Sequence, residues 1–131
     1  MSRLLSFKGQ YANKGSAIKA NLLLIYFVDN DGNHIIYSPH LDLSGYGKSE
    51  IEAKHSFEDA FEELLDYTIK KKTLGKLLQQ LGWEVKGSIK HPRKIVMPKL
   101  KNVLENQYIS EIFDKYETKT FHQPVQLPAF A

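Results

Sequence analysis

Seven consecutive apolar residues, Leu22–Leu23–Leu24–Ile25–Tyr26–Phe27–Val28, constrain this chain more than any other feature. A helical run that is apolar all round must be buried on every side, and seven residues fall far short of the ~20 that a membrane helix needs. β-Branched and aromatic residues dominate the second half of the run. Residues 18–28 are therefore expected to form a central strand covered on both faces. Asp29–Asn30–Asp31–Gly32–Asn33 follows, where Asp and Asn accept turn conformations and Gly32 supplies a positive φ. Ile35–Ile36–Tyr37 then reads as the return strand of a hairpin, ended by Pro39. Leu41, Leu43 and Tyr46 suggest a third short strand or extended segment, broken at Gly45 and Gly47.

Ser49–Glu50–Ile51–Glu52 has the spacing of a capping box, with Ser49 accepting from the Glu52 amide and Glu52 reaching back to Ser49. The spacing predicts a helix over 50–70, with Ala53, Phe57, Ala60, Phe61, Leu64, Leu65 and Thr68 on its apolar face. Thr73 is a candidate cap for a second helix bearing Leu74, Leu77, Leu78 and Leu81, stopped by Gly82. Trp83–Glu84–Val85–Lys86 alternates like a strand, in which Trp83 packs rather than stacks on a nucleic-acid base. Ile95–Val96–Met97 forms another short strand. Residues 99–116 read as one helix facing Leu100, Val103, Leu104, Tyr108, Ile112 and Phe113 inward. Pro124 and Pro128 limit the segment 118–130 to an edge strand or a docked arm.

The net charge of +3 conceals sorting along the chain. Residues 29–69 carry ten acids against two bases, and residues 70–101 carry ten bases against one acid. The acids Glu58, Asp59, Glu62, Glu63 and Asp66 lie on the predicted long helix. They form either a solvated face or a complement to a basic partner. Lys70, Lys71, Lys72, Lys76, Lys90, Arg93 and Lys94 are candidate phosphate contacts.

Catalytic patterns are sparse. The chain has no cysteine, which removes thiol chemistry, disulfides and Cys-based zinc sites. Its five histidines include no pair at i, i+4, so no metal or other cofactor is expected. Asp29, Asp31 and Asp42 are the only acids to suggest a metal-dependent nuclease, and the turn itself accounts for the first two. Gly45–Tyr46–Gly47 lacks the Lys–Ser/Thr of a phosphate loop. The first eight residues lack the apolar stretch of a signal peptide, so a cytoplasmic protein without membrane contact is expected.

The order of parts over residues 20–86 resembles the HicB antitoxin family. A hairpin is followed by Tyr37–Ser38–Pro39, then Gly45–Tyr46–Gly47. The step Gly47–Lys48–Ser49–Glu50–Ile51–Glu52–Ala53 then enters the helix. The resemblance implies an α+β fold, a three- to four-stranded antiparallel sheet packed by one long helix, akin to a truncated ribonuclease H. Trp83–Glu84–Val85 would supply the fourth strand, and a C-terminal helical extension and extended arm would follow. It also implies a non-catalytic protein that occludes a small basic HicA-like mRNA-cleaving toxin, commonly as a homo-oligomer. Many members bind operator DNA as well. Here residues 87–131 contain no helix-turn-helix pair, and no ribbon-helix-helix fits after the last strand. The expected organisation is one domain over 1–131, with a HicB-like core at 18–87 and a C-terminal extension at 88–131. A nucleic-acid-binding regulator using 70–101 is the alternative reading.

Overall fold

The computed structural model describes the backbone of residues 5–6, 17–88 and 91–128, and side chains within 19–85 and 95–127. The fold is α+β. Strand β1 is Leu5–Ser6, β2 Ala17–Val28, β3 His34–Ser38 and β4 Leu43–Gly47. Helices α1 (Glu50–Lys70) and α2 (Leu74–Gln80) follow, then β5 (Glu84–Ser88) and β6 (His91–Val96). Helices α3 (Leu100–Leu104) and α4 (Gln107–Lys115) lead to β7 (Lys119–Pro128). The main sheet has the order β1-β7-β2-β3-β4. Strands β7, β2, β3 and β4 are antiparallel to their neighbours, and β1 joins β7 in parallel.

The apolar run is explained by a sheet covered on both sides. Side chains alternate across a strand. Leu22 and Leu24 join the α1 residues Ala53, Phe57, Phe61, Leu65 and Ile69, with Leu74, Leu78, Trp83, Val125 and Leu127 in the same cluster. Ile25 and Phe27 point the other way, against Ile109 and Ile112 of α4. Burying one such side chain contributes about 1.5–3 kcal/mol, so the run holds both layers together.

The hairpin turn is organised by Asp29. Its Oδ1 accepts from the Asp31 amide at 3.0 Å and the Asn33 amide at 2.8 Å. Gly32 takes φ +79° beside it. At β4 the expectation of a break is corrected: the strand runs through both glycines. The reason is the close approach of α1. A Cβ on Gly45 would stand 2.5 Å from the Ala53 carbonyl oxygen and 2.7 Å from Phe57 Cα. Ser56 Oγ accepts from the Tyr46 amide at 3.0 Å, so α1 also blunts part of this edge strand.

Helix α1 spans the predicted residues. Ser49 Oγ accepts from the Glu52 amide at 3.1 Å, as the capping box requires. The reciprocal arm differs, because Glu52 Oε1 accepts from the Lys48 amide, 3.3 Å away, rather than from Ser49. At the other end, Thr73 N–H reaches the Thr68 carbonyl at 2.8 Å and Lys72 N–H reaches the Ile69 carbonyl at 3.1 Å. This paired closure places a left-handed residue after the helix, normally glycine. Lys72 holds it at φ +58°. Helix α2 closes in the same way, with Gly82 at φ +93°. Thr73 makes no side-chain cap to α2.

Three expectations for the second half are corrected. Trp83–Val85 does not complete the main sheet. Segment 84–88 pairs with β6 as a separate two-stranded ribbon. The segment expected as an edge strand or docked arm is β7, which lies between β1 and β2 and pairs with β2 over ten residue pairs, Ala17↔Pro128 to Tyr26↔Lys119. The prolines in β7 are tolerable because, among the described residues, its outer side is paired only at Val125 and Gln126. The helix expected over 99–116 is two helices. Asn106 Oδ1 accepts from the Tyr108 amide at 2.7 Å and starts α4 afresh. Leu100, Tyr108 and Phe113 are exposed, while Ile109 and Ile112 are buried. Among the described residues, no helix is long and apolar enough to cross a membrane.

Candidate interaction surfaces

Helix α1 lays one face on the sheet and turns the other outward. Asp59, Glu62 and Glu63 are exposed there, and Glu58 and Asp66 are half-buried. At 3.6 residues per turn, Asp59, Glu62, Glu63 and Asp66 share one side, and Glu58 lies on its flank. Asp66 pairs with Lys70 at 3.0 Å, one turn on. Asp59, Glu62 and Glu63 have no Lys or Arg at i±3 or i±4. Their neighbours at those spacings include one another, a like-charge arrangement that weakens a helix. Tyr67, four residues after Glu63, is 63% exposed, and Ile51 near the helix start is 66% exposed. Both escaped the periodicity argument, which reports apolar residues falling on the inner face and is silent about those outside it.

Among the described residues, the basic candidates fall on separate elements. Lys70 is engaged by Asp66. Lys71, Lys72 and Lys76 are exposed at the α1–α2 junction and on α2. Arg93 and Lys94 belong to β6, where Lys94 stands opposite Lys86 in the register. Lys90 lies outside the described residues. Trp83 is a core residue, 3% exposed, and its Nε1–H donates to the His40 carbonyl at 2.8 Å.

The three acids considered for a nuclease site are separated. Asp29 and Asp31 sit at the tip before β3, while Asp42 follows the far end of that strand. The amide donors of the turn, Asn33 foremost, hold the Asp29 carboxyl below the usual range. Asp42 Oδ1 accepts from the Tyr37 hydroxyl at 2.7 Å. Among the described residues, no group of three His, Asp or Glu could hold a metal ion.

Two arrangements were not foreseen from the sequence. The first is His40, 4% exposed and edge-on to Trp83, with ring centroids 6.3 Å apart. Its ring donates to the Pro98 carbonyl, and Nδ1 has no hydrogen-bond partner. Burial, and then the nearby His122, push its pKa down. The second is a groove of about 610 Å³ where the bend after β3 meets the end of α2 and the α3–α4 turn. Tyr37 and Asp42 form one wall, and Val103, Glu105 and Ile109 the other. Asp42 takes φ +49°, a conformation that Asp tolerates better than most residues. Tyr108 packs edge-on against Tyr37 at 5.1 Å and 84°. Burial, and then the Asp42 carboxylate, raise the Tyr37 pKa, so this hydroxyl remains a donor.

No protein-family model, curated protein or solved structure matches the chain.

Proposed function

We propose that this protein is a non-catalytic binding module of HicB type, which covers a small basic partner such as a HicA-like mRNA-cleaving toxin. One observation carries the reading. Asp59, Glu62 and Glu63 stand exposed on α1 with no Lys or Arg within one turn. Each like-charge i, i+4 pair costs a helix about 0.2–0.5 kcal/mol, and Glu58–Glu62, Asp59–Glu63 and Glu62–Asp66 all have that spacing. A basic surface laid across the stripe offsets those repulsions, and complementary potentials also speed encounter. Tyr67 beside the stripe offers the kind of exposed aromatic that anchors interfaces. The order hairpin, Tyr37–Ser38–Pro39, Gly45–Tyr46–Gly47, capped helix supports the choice of partner class.

The mechanism is occlusion: the acidic stripe covers the surface with which the toxin holds RNA phosphates. The test is an mRNA-cleavage assay with a HicA-like toxin at low salt. The wild-type chain is expected to stop cleavage, and Glu62→Lys with Glu63→Lys is expected to lose that effect. Undiminished neutralisation by the double variant would refute the assignment of the stripe.

A second reading is favoured by the β5–β6 ribbon. A two-stranded ribbon has the width to enter a DNA major groove, and this one carries Lys86, Arg93 and Lys94. A mobility-shift titration with operator DNA at two salt concentrations tests it. Salt-sensitive shifts lost on Arg93→Ala with Lys94→Ala support the reading. No shift at low salt removes it.

A further inference from the structure

We propose that the end of α1 is a two-fold interface between two copies of this chain, with Tyr67 on the axis. The surface is self-complementary about Tyr67, which is 63% exposed. Glu63 stands four residues before it and Lys71 four residues after it, while Glu62 and Lys72 stand five residues to either side. All four charged residues are exposed. Lys71 keeps right-handed helical dihedrals as the C-cap, so Glu63, Tyr67 and Lys71 continue one i, i+4 line along the helix surface.

Two such helices laid antiparallel about Tyr67 bring Glu63 against Lys71 of the second copy, and Glu62 towards its Lys72. A two-fold interface uses the same patch on both sides, so each pair occurs twice. Packed helices stand about 8–10 Å apart, a gap that facing Glu and Lys side chains span. The two Tyr67 rings meet at the axis as an aromatic pair. A partner of one charge sign matches only half of this surface, whereas a second copy matches both halves. Lys72 adds an independent sign. It holds the left-handed conformation at φ +58°, where glycine is unstrained and lysine is not. A positive charge is thus kept at the end of the stripe against the preference of the backbone. One helix per copy makes a small contact, so the dimer is expected to be weak and sensitive to salt. No toxin takes part, and the pairing does not depend on the occlusion reading.

The test is sedimentation equilibrium of the full chain over a wide concentration range at low and high salt. A closed dimer is expected at low salt and should weaken as salt rises. Glu63→Lys and Lys71→Glu should each weaken it by about tenfold, because each sets like charges against one another at two places. Tyr67→Ala should weaken it by about fivefold. Glu63→Lys and Lys71→Glu combined in one chain recreate opposite charges across the axis, and dimerisation should return to within about twofold of the wild type. Unfolding midpoints of the same samples at high dilution show that each variant is folded. Lys71→Glu leaves the acidic stripe intact, so it separates self-pairing from toxin binding. A chain that stays monomeric at low salt, open-ended association in place of a dimer, single variants that dimerise as the wild type does, or a charge swap that restores nothing would each overturn the proposal.

Discussion

The two faces of the main sheet are built differently. One is covered by α1, a single capped helix of 21 residues, and its cluster recruits α2, Trp83, Val125 and Leu127. The other is covered by short helices that supply Ile109 and Ile112, with Val103, Leu104 and Tyr116 half-buried at the margin. Stability and accessibility therefore reside on different faces. The α1 face is a continuous core whose outer side is left for charge. The α4 face is thinner, and the groove opens at its border.

Truncations should separate the two faces. Phe57 and Phe61 are each 2% exposed, and Phe57→Ala is expected to destabilise the fold by about 3–5 kcal/mol in urea unfolding. Ile112→Ala, on the thinner layer, should cost about 2–3 kcal/mol, because that layer can relax into the space. Equal losses would show that both layers are equally tight. Gly45→Ala tests the contact between β4 and α1 from the backbone side. The added methyl meets Ala53 and Phe57 main chain, and a loss of about 1–3 kcal/mol is expected.

His40 gives the α1 face a pH signature. Its pKa in the fold is lowered by burial from the ordinary 6.5. The unfolded chain therefore binds the proton more readily. Stability is full above that unfolded value and falls as pH drops through it, levelling off once the folded pKa is passed. The urea midpoint of the wild type should decline between about pH 7.5 and 5.5, and His40→Gln should flatten that slope. A slope unchanged in the variant would assign the decline to other groups. The smallest effect expected is a gain. Lys72→Gly relieves the left-handed residue after α1 and should stabilise by about 0.5–1 kcal/mol, read as a higher unfolding midpoint.

The first half of the chain was legible because each signal there is local. The run 22–28 has no partner-independent alternative, Asp29–Asn33 is a turn by composition, and Ser49 to Glu52 fixes the helix start. In the second half, long-range pairing decides the structure. Nothing near Trp83–Val85 reveals that β7, some thirty residues later, takes the place beside β2. Asn106 was a readable cap, but a continuous apolar spacing over 99–116 concealed the break it makes. Gly45 and Gly47 look like punctuation in the sequence, whereas their role is to admit a helix backbone. The acidic stripe was legible as composition and helical spacing. The groove was not, since Tyr37, Asp42, Gly82 and Glu105 meet only through the fold.

We propose that the outward side of α1 is shaped for a partner and not for stability. The measurement is the dissociation constant for a HicA-like toxin at low salt, with the unfolding midpoint recorded on the same samples. For Glu62→Lys with Glu63→Lys, affinity should fall by about tenfold or more while the midpoint holds or rises, because repulsions along the helix are removed. An unchanged dissociation constant with a lowered midpoint would contradict it, and would make the acids part of the fold's own electrostatics.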